Sequence, residues 1–264
     1  MSAPSILFEQ KGSVAVITLN RPEALNSMTH GMQADFRSAM QVIQSSPDIR
    51  ACVLTGAGRG FCAGLDLSTL DLSPGEGLVE RADPGPVIDD AFNPSTRMLL
   101  ELRVPTIAAV NGVAAGAGVS LAMSCDMVFA HTKASFIQAF SKIGLIPDAG
   151  GSWLLVERLG LARAMALAMT GHKLGAQQAK DWGMIWEVGD DPLADAMAMA
   201  EALAVMPTKA LVATRALMRN ATQRGLEAHL NVERDTQSSL GKTHDYIEGV
   251  KAFLEKRPPR FTGQ

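Results

Sequence analysis

The sequence predicts an α/β fold in which alternating strands and helices are followed by a mostly helical C-terminal part. Two observations predict the first part. Short apolar runs alternate with an amphipathic helix in the N-terminal third, and an apolar run within residues 105–126 breaks on glycines and opens into a helix. From residue 159 onward, Ala, Leu and Met recur at helical spacing, which is typical of helices packed on each other or on another subunit. No repeat or linker divides the 264 residues.

The composition is that of a globular protein with an ample core, since 47% of the residues are hydrophobic and 19% are charged. The net charge of −3 argues against a nucleic-acid-binding surface. The first residues contain neither a basic segment nor a long apolar segment, so we expect no secretory signal. Cys52, Cys62 and Cys125 lie in apolar stretches without C-x-x-C spacing, which predicts reduced thiols in a cytoplasmic protein.

The first elements follow from apolar spacing and from helix-end signals. Residues 6–8 and 14–19 are predicted strands. Thr29 is a predicted helix cap, and Pro47 ends that helix. The inner face of the helix is the stripe of Met32, Phe36, Met40 and Ile43. Later strands are predicted at residues 51–55, 106–110, 127–130 and 185–188.

The candidate centre of a functional site is the stretch of residues 105–126. Its strand is followed by four turn residues, Asn111, Gly112, Gly116 and Gly118, and then by a helix. A helix start presents unpaired backbone N–H groups and the positive end of the helix dipole, so this turn is predicted to stabilise an oxyanion. One alternative is a membrane span, against which the glycines and polar residues argue. The other is a buried unit whose glycines only permit tight packing.

Two glycine-rich segments are candidate walls of a binding site. Residues 56–67 match neither G-x-G-x-x-G nor a P-loop, but they leave the carboxyl end of a strand, where ligands bind in α/β layers. Residues 73–94 have the composition of a long loop, which is typical either of a lid or wall over a site or of a disordered segment.

Asp148 is the candidate acid. Apolar residues precede it and Ala149-Gly150-Gly151 follows it, so its carboxylate is expected to be desolvated and to be a strengthened base. The alternative is a capping role for a helix that starts near Ser152.

The chain from residue 159 onward is predicted to be helical at residues 162–170, 176–182, 193–205, 208–223, 225–240 and 243–256. The basic residues of the tail, residues 251–260, form either a solvated face or a place for phosphates.

Several motifs resemble the enoyl-CoA hydratase/isomerase (crotonase) superfamily, in order and over nearly the whole chain. They are NRPEALNS, RGFCAGLDL, AAVNGVAAGAGVSLAMSCD, KIGLIPDAGGSWLL and EGVKAFLEKR. The resemblance implies a crotonase-like spiral of ββα units with an acyl-CoA site in residues 1–200. It also implies a helical region in residues 201–264 that drives assembly into a homotrimer or a dimer of trimers.

The resemblance also assigns site residues. The oxyanion hole falls on the backbone N–H groups of Leu65 and Ala117, and removal of one such donor costs about 3–4 kcal/mol of barrier. The implied acyl-CoA-binding positions are Ala24, Ala63, Gly64, Leu65, Asp66, Leu67, Gly116, Phe253 and Lys256. Coenzyme A belongs to the substrate, so no separate cofactor is expected, and the five histidines form no metal-ligand motif.

The departures from the family pattern indicate the chemistry. Hydratases of the family use two glutamates, whose positions here are Ser120 and Phe140, whereas Asp148 lies where isomerase and dehalogenase branches carry an aspartate. One carboxylate beside an oxyanion hole suits a double-bond shift. The narrower resemblance is to the branch that isomerises a ring-epoxide thioester to its oxepin isomer in phenylacetate breakdown. The alternatives are a straight-chain Δ3,Δ2-enoyl-CoA isomerase, a hydratase and a non-catalytic acyl-CoA- or RNA-binding member.

Overall fold

The computed structural model describes residues 3–264, in which ten strands form two sheets surrounded by helices. The strands are β1 (Ile6–Lys11), β2 (Val14–Leu19), β3 (Ala51–Gly56), β4 (Gly60–Cys62), β5 (Thr106–Val110), β6 (Val113–Ala115), β7 (Met127–His131), β8 (Ser135–Ile137), β9 (Lys173–Gly175) and β10 (Glu187–Gly189). The helices are α1 (His30–Ser45), α2 (Leu78–Ala82), α3 (Gly85–Val87), α4 (Asn93–Leu100), α5 (Ala117–Ser124), α6 (Gly151–Thr170), α7 (Ala176–Asp181), α8 (Pro192–Ala204), α9 (Thr208–Arg219), α10 (Leu226–Leu240) and α11 (His244–Leu254).

The larger sheet has the strand order β1-β2-β3-β5-β7-β10, with β1 antiparallel to β2 and the other pairs parallel. Both faces of its central strands are buried because alternate side chains enter two different cores. Ile17 and Leu54 pack on the side of α1, whereas Val16 and Val53 pack on the side of α8. The near-continuous apolar runs of these strands therefore reflect helices on both faces.

The smaller sheet, β4-β6-β8-β9, was not predicted from the sequence. Each of its strands has only three residues, which is too short to give an alternating pattern. The strand that enters α5 is therefore β6 and not the predicted strand at residues 106–110, which a turn separates from it. Because β4 and β6 are parallel neighbours, the loop after β4 and the start of α5 lie at the same edge of this sheet.

Three further expectations need correction. The segment of residues 73–94 is not a continuous loop, because it contains α2, α3 and the π-helical turn Ile88–Phe92, which runs into α4. The last strand lies at Glu187–Gly189, so it begins two residues later and ends one residue later than predicted. Helix α6 begins at Gly151 and bends at Gly160, whose φ of 71° is not helical.

Within residues 3–264, no single helix is long and apolar enough to cross a membrane, and α8 and α9 meet that test only as a pair bent by 112°.

Arginines attach the C-terminal helices to the rest of the fold. Arg219 in α9 donates to the carbonyl oxygens of Leu100 (2.9 Å) and Ser124 (3.0 Å) and to the Asp126 carboxylate (3.1 Å). These contacts satisfy the carbonyls at the C-terminal ends of α4 and α5. The C-terminal residues are attached to α11 by Asp245. Its carboxylate accepts hydrogen bonds from the backbone N–H groups of Thr262 and Gly263, each 2.7 Å long.

The predicted inner face of α1 is confirmed, and its central residue gives a stability prediction. Phe36 is 0% exposed, so truncation to alanine is expected to lower the free energy of unfolding by about 3–5 kcal/mol, from lost burial and the cavity left behind. Val42→Ala on the same helix, where the side chain is 47% exposed, is the control and should change it by less than about 1 kcal/mol. Urea unfolding measures both, and equal losses would contradict this packing.

Candidate active site

The first element of the site is the backbone of Leu65, which follows β4. Met28 N donates to Gly64 O (2.7 Å), and Asp66 N donates to Met28 O (3.1 Å). In such a parallel bridge the N–H of the middle residue points away from the bridging partner. The Leu65 N–H therefore points away from Met28, and among residues 3–264 it has no backbone acceptor.

The second element is the backbone N–H of Ala117. It is the first residue of α5, so its N–H has no acceptor within the helix and lies at the positive end of the helix dipole. The two amides are close neighbours. A Cβ placed on Gly64, which has a φ of +89°, would lie 3.1 Å from Ala117 N. Gly64 thus leaves open the space between the two donors.

The sequence left open whether the glycines of this turn expose backbone donors or only permit tight packing. In the structure, different glycines serve these two roles. Gly112 and Gly118 permit close packing, because a Cβ on either would lie 2.1 Å from a carbonyl oxygen of the segment at residues 59–62. Gly116 instead adopts a φ of +53°, which favours glycine, and the atoms nearest to a Cβ placed there belong to the Phe140 ring, at 3.5 Å or more. Tight packing and an open donor edge therefore occur together in this turn.

The segment after Leu65 is held by Asp66. Its carboxylate pairs with Arg21 Nη1 at 2.8 Å and accepts the hydroxyl hydrogen of Ser68 at 2.6 Å. The Ser68 hydrogen bond and the Arg21 guanidinium lower the pKa of Asp66, although partial burial opposes them. Arg21 also donates to Ser27 O at 2.6 Å, so the pair ties the loop after β4 to the segment before α1.

Asp148 precedes α6 but does not cap it. The N-cap residue is Gly150, and no side chain accepts a hydrogen bond from the first turn, so the capping alternative is wrong. Asp148 Oδ1 is buried and has no hydrogen-bond partner among residues 3–264. Burial raises the pKa of the Asp148 carboxyl to about 6, only partly offset by a hydrogen bond to its own backbone. A carboxylate in this state is a stronger base than an exposed aspartate.

One cavity of about 200 Å³ brings these groups together. Its lining residues are Ala63, Gly64, Leu65, Leu67, Pro84, Gly116, Ala117, Ala139, Phe140, Lys142, Ile143, Leu145 and Asp148. A larger cavity, of about 400 Å³, lies between α9, α10 and α11, but it contains neither the amide pair nor Asp148. We therefore take the smaller cavity as the candidate active site.

Four of the implied acyl-CoA-binding residues do not line this cavity: Ala24, Asp66, Phe253 and Lys256. Phe253 lines the cavity of the C-terminal helices instead. The sequence missed Pro84, Ala139 and Lys142 as lining residues. Pro84 could have been found, since it belongs to the segment predicted as a lid or wall, and Lys142 because it is the first residue of the motif KIGLIPDAGGSWLL, whereas Ala139 lies outside the motifs named above.

The two positions where family hydratases carry glutamates hold groups that do not exchange protons with water in this structure. Ser120 is fully buried and donates its hydroxyl hydrogen to the backbone oxygen of Asp148 at 2.9 Å. Phe140 is buried and turns its ring toward Gly116. Within residues 3–264, no group of three or more His, Cys, Asp and Glu side chains is placed to hold a metal ion. The three cysteines are free and buried.

Comparison with known proteins relates this arrangement to one family. The model of the family described as "Enoyl-CoA hydratase/isomerase" matches residues 9–264. The 1,2-epoxyphenylacetyl-CoA isomerase of Escherichia coli K12 is 47% identical over 261 residues, covering 98% of each chain. A "Probable enoyl-CoA hydratase" of Rhodobacter capsulatus is 41% identical over 266 residues, covering 100% of each chain.

Solved structures agree with this relationship. The enoyl-CoA hydratase of Bacillus anthracis superimposes with a TM-score of 0.90 at 30% identity, covering 99% of this chain and 100% of the other. A Geobacillus kaustophilus structure named as an enoyl-CoA hydratase subunit superimposes with a TM-score of 0.89 at 33% identity, covering 99% of each chain.

Proposed function

The chain belongs to the enoyl-CoA hydratase/isomerase family of acyl-CoA-binding enzymes, and we propose that within it the chain is an isomerase of acyl-CoA thioesters. The observation that carries the proposal is the shared cavity of Leu65, Ala117 and Asp148, with one carboxylate beside two free amides. Ser120 and Phe140 further support it, because neither side chain replaces the glutamates that add water in family hydratases.

The proposed reaction moves one proton between two carbons of the substrate. The thioester oxygen accepts hydrogen bonds from the N–H groups of Leu65 and Ala117. The Asp148 carboxylate removes a proton from C2 of a 3-enoyl thioester, and the electrons of that C–H bond move into an enolate whose charge the two amides stabilise. Asp148 then returns the proton to C4, so the double bond moves from C3–C4 to C2–C3 and Asp148 is ionised again.

The proposed natural substrate is 2-(1,2-epoxy-1,2-dihydrophenyl)acetyl-CoA, converted to its oxepin-CoA isomer in phenylacetate catabolism. The 47% identity to the E. coli 1,2-epoxyphenylacetyl-CoA isomerase over nearly both whole chains supports this substrate. The apolar side chains of Leu67, Pro84, Ile143 and Leu145 at the cavity wall suit a ring. A straight-chain Δ3,Δ2-enoyl-CoA isomerase is the second candidate, because the base and the two amides serve its reaction equally.

The substrate is proposed to supply the coenzyme A, with no further cofactor. Phe253, which is 82% exposed, and Lys256 lie outside the active-site cavity, so we propose that they reach coenzyme A in a neighbouring subunit of a homotrimer or a dimer of trimers. Exposed apolar side chains in the same region, such as Met218 and Leu254, support such an assembly. The division at residue 200 and the cytoplasmic location stay predictions.

A comparison of three substrates tests the proposal. The purified protein is given 1,2-epoxyphenylacetyl-CoA, a 3-enoyl-CoA and crotonyl-CoA, and products are separated by chromatography. The isomers, which have the mass of their substrates, are identified by retention time and ultraviolet absorption against standards, and the hydration product is identified by the added mass of water. We expect isomerisation of the first two, and hydration of crotonyl-CoA slower than isomerisation by a factor of about 100 or more, in line with the loss of general acid–base assistance. Hydration at a comparable rate would identify a hydratase.

The pH dependence of kcat/KM gives a further prediction. Because the pKa of Asp148 is about 6 and only its ionised form is a base, kcat/KM should be constant above pH 7 and fall about tenfold per pH unit below pH 6. A 3-enoyl pantetheine thioester is the suitable substrate, because the terminal phosphate of coenzyme A itself titrates near pH 6. A profile that stays level down to pH 4.5 would contradict the raised pKa.

A further inference from the structure

The hydroxyl of Ser120 makes an unusual contact for a helical serine. A serine within a helix commonly donates back to the carbonyl oxygen four residues earlier, as Ser124 does to Ser120 O at 2.9 Å. Ser120 instead donates to the backbone oxygen of Asp148, which is 28 residues further along the chain, at 2.9 Å. The contact is enclosed, since Ser120 is 0% exposed.

The accepting segment contains two consecutive residues with positive φ. Ala149 has a φ of 48° and Gly150 a φ of 78°. A left-handed conformation at a non-glycine residue such as Ala149 persists only where surrounding contacts hold it. Asp148 O accepts two hydrogen bonds, from Gly151 N at 2.7 Å within the turn and from Ser120 Oγ. The second bond is the one that connects the turn to α5.

The start of α6 and the segment of α5 around Ser120 are closely packed. A Cβ on Gly151 would lie 2.5 Å from Ser120 Oγ, so the start of α6 sits directly against this hydroxyl. The carboxylate is held only by the hydrogen bond to its own backbone, because Asp148 Oδ1 is buried without a partner among residues 3–264. The direction of the side chain therefore depends on the position of its own backbone.

We propose that Ser120 is a positioning residue that fixes the backbone of Asp148 relative to the Ala117 amide, an inference that rests on the proposed function. Ala117 and Ser120 lie three residues apart on α5, about one helical turn. The same short helix therefore carries an oxyanion donor and the hydroxyl that bonds to the backbone of the base, Asp148. This arrangement sets the separation of acid and amide while it leaves Oδ1 of the carboxylate without a donor, so that the carboxylate remains reactive.

The test compares Ser120→Ala with Ser124→Ala. Both serines are fully buried in α5, and each variant loses one hydroxyl, but the hydroxyl of Ser124 bonds only within the helix. With a 3-enoyl-CoA we expect Ser120→Ala to lower kcat about 10- to 100-fold with KM within about twofold, because misplacing the base costs the chemical step. With the 3-enoyl pantetheine thioester, the pH at which kcat/KM is half-maximal should also fall, because a loosened turn admits water to the carboxylate. Ser124→Ala should keep the wild-type kcat and pH profile.

Hydrogen exchange provides a readout that needs no turnover. The amide of Gly151, which donates to Asp148 O, should exchange faster in Ser120→Ala than in the wild type or in Ser124→Ala, as measured by mass spectrometry on a peptide spanning residues 148–152. Unchanged exchange in Ser120→Ala, or equal losses of kcat in both variants, would overturn the proposal that Ser120 positions the backbone of Asp148. Faster exchange together with an inactive wild-type protein would instead overturn the proposed function, and the positioning role of Ser120 would be retained.

Discussion

Replacing Asp148 with asparagine is expected to lower kcat for isomerisation by about 10²- to 10⁴-fold, the range typical for loss of a general acid–base group. Asparagine keeps the shape of the side chain but accepts no proton at neutral pH. The amides of Leu65 and Ala117 are untouched, so KM should change by no more than a few-fold. Steady-state rates with a 3-enoyl-CoA and with the epoxyphenylacetyl thioester measure the effect.

Loss of folding cannot account for such a result, because the same substitution should not destabilise the protein. The pKa of the folded carboxyl, about 6, lies above its ordinary value of 3.8, so the folded state binds this proton more tightly than the unfolded chain. Ionisation therefore lowers stability as pH rises from about 4 to 6, and the full loss persists above pH 6. At pH 8 the asparagine variant should be at least as stable as the wild type. A variant that is folded and retains the wild-type kcat would remove Asp148 from the mechanism.

Gly64→Ala is the second substitution with a large expected effect, a loss in kcat of about 10²- to 10³-fold, as for removal of one oxyanion donor. The added Cβ would lie 3.1 Å from Ala117 N and 3.0 Å from Ala115 O, and so would fill the space in which the thioester oxygen is proposed to bind. The φ of +89° at Gly64 also disfavours alanine, so the segment that carries the Leu65 amide should shift.

Gly12→Ala separates crowding from backbone strain. Gly12 has a φ of +59°, and a Cβ there meets no atom within 4 Å, so its substitution introduces strain without obstruction, at a residue that does not line the cavity. We expect it to lower stability modestly and to leave kcat unchanged. Equal kcat values for the Gly64 variant, the Gly12 variant and the wild type would contradict the placement of an oxyanion between the two amides.

The predicted fold class is correct, and the crotonase-like fold implied by the motifs agrees with TM-scores of 0.89 and 0.90. The strands Val14–Leu19 and Thr106–Val110 were predicted to the residue, because each is a continuous apolar run with a clear end. The strands of the smaller sheet carry no such signal. Gly60–Cys62 is a strand because it pairs with Val113–Ala115, which also pairs with Ser135–Ile137, and such pairing is a tertiary effect.

The sequence selected Leu65, Ala117 and Asp148, which the structure brings to one cavity, but it did not give the geometry of the site. The local sequence allowed two interpretations of Asp148, a base or a helix cap. A cap and a desolvated acid can have the same apolar and glycine neighbours. The structure separates them by the identity of the N-cap residue, Gly150. The bond from Ser120 to Asp148 joins residues 28 positions apart, so no spacing rule could indicate it.

In the proposed site one carboxyl faces a thioester held by two backbone amides, and a crystal structure of the Asp148→Asn variant with a bound 3-enoyl-CoA tests this arrangement most directly. We expect a thioester oxygen about 3 Å from both Leu65 N and Ala117 N, the distance that a working oxyanion hole requires. We also expect the side chain of residue 148 beside C2. A thioester oxygen bound elsewhere, or a residue 148 directed away from C2, would contradict this arrangement.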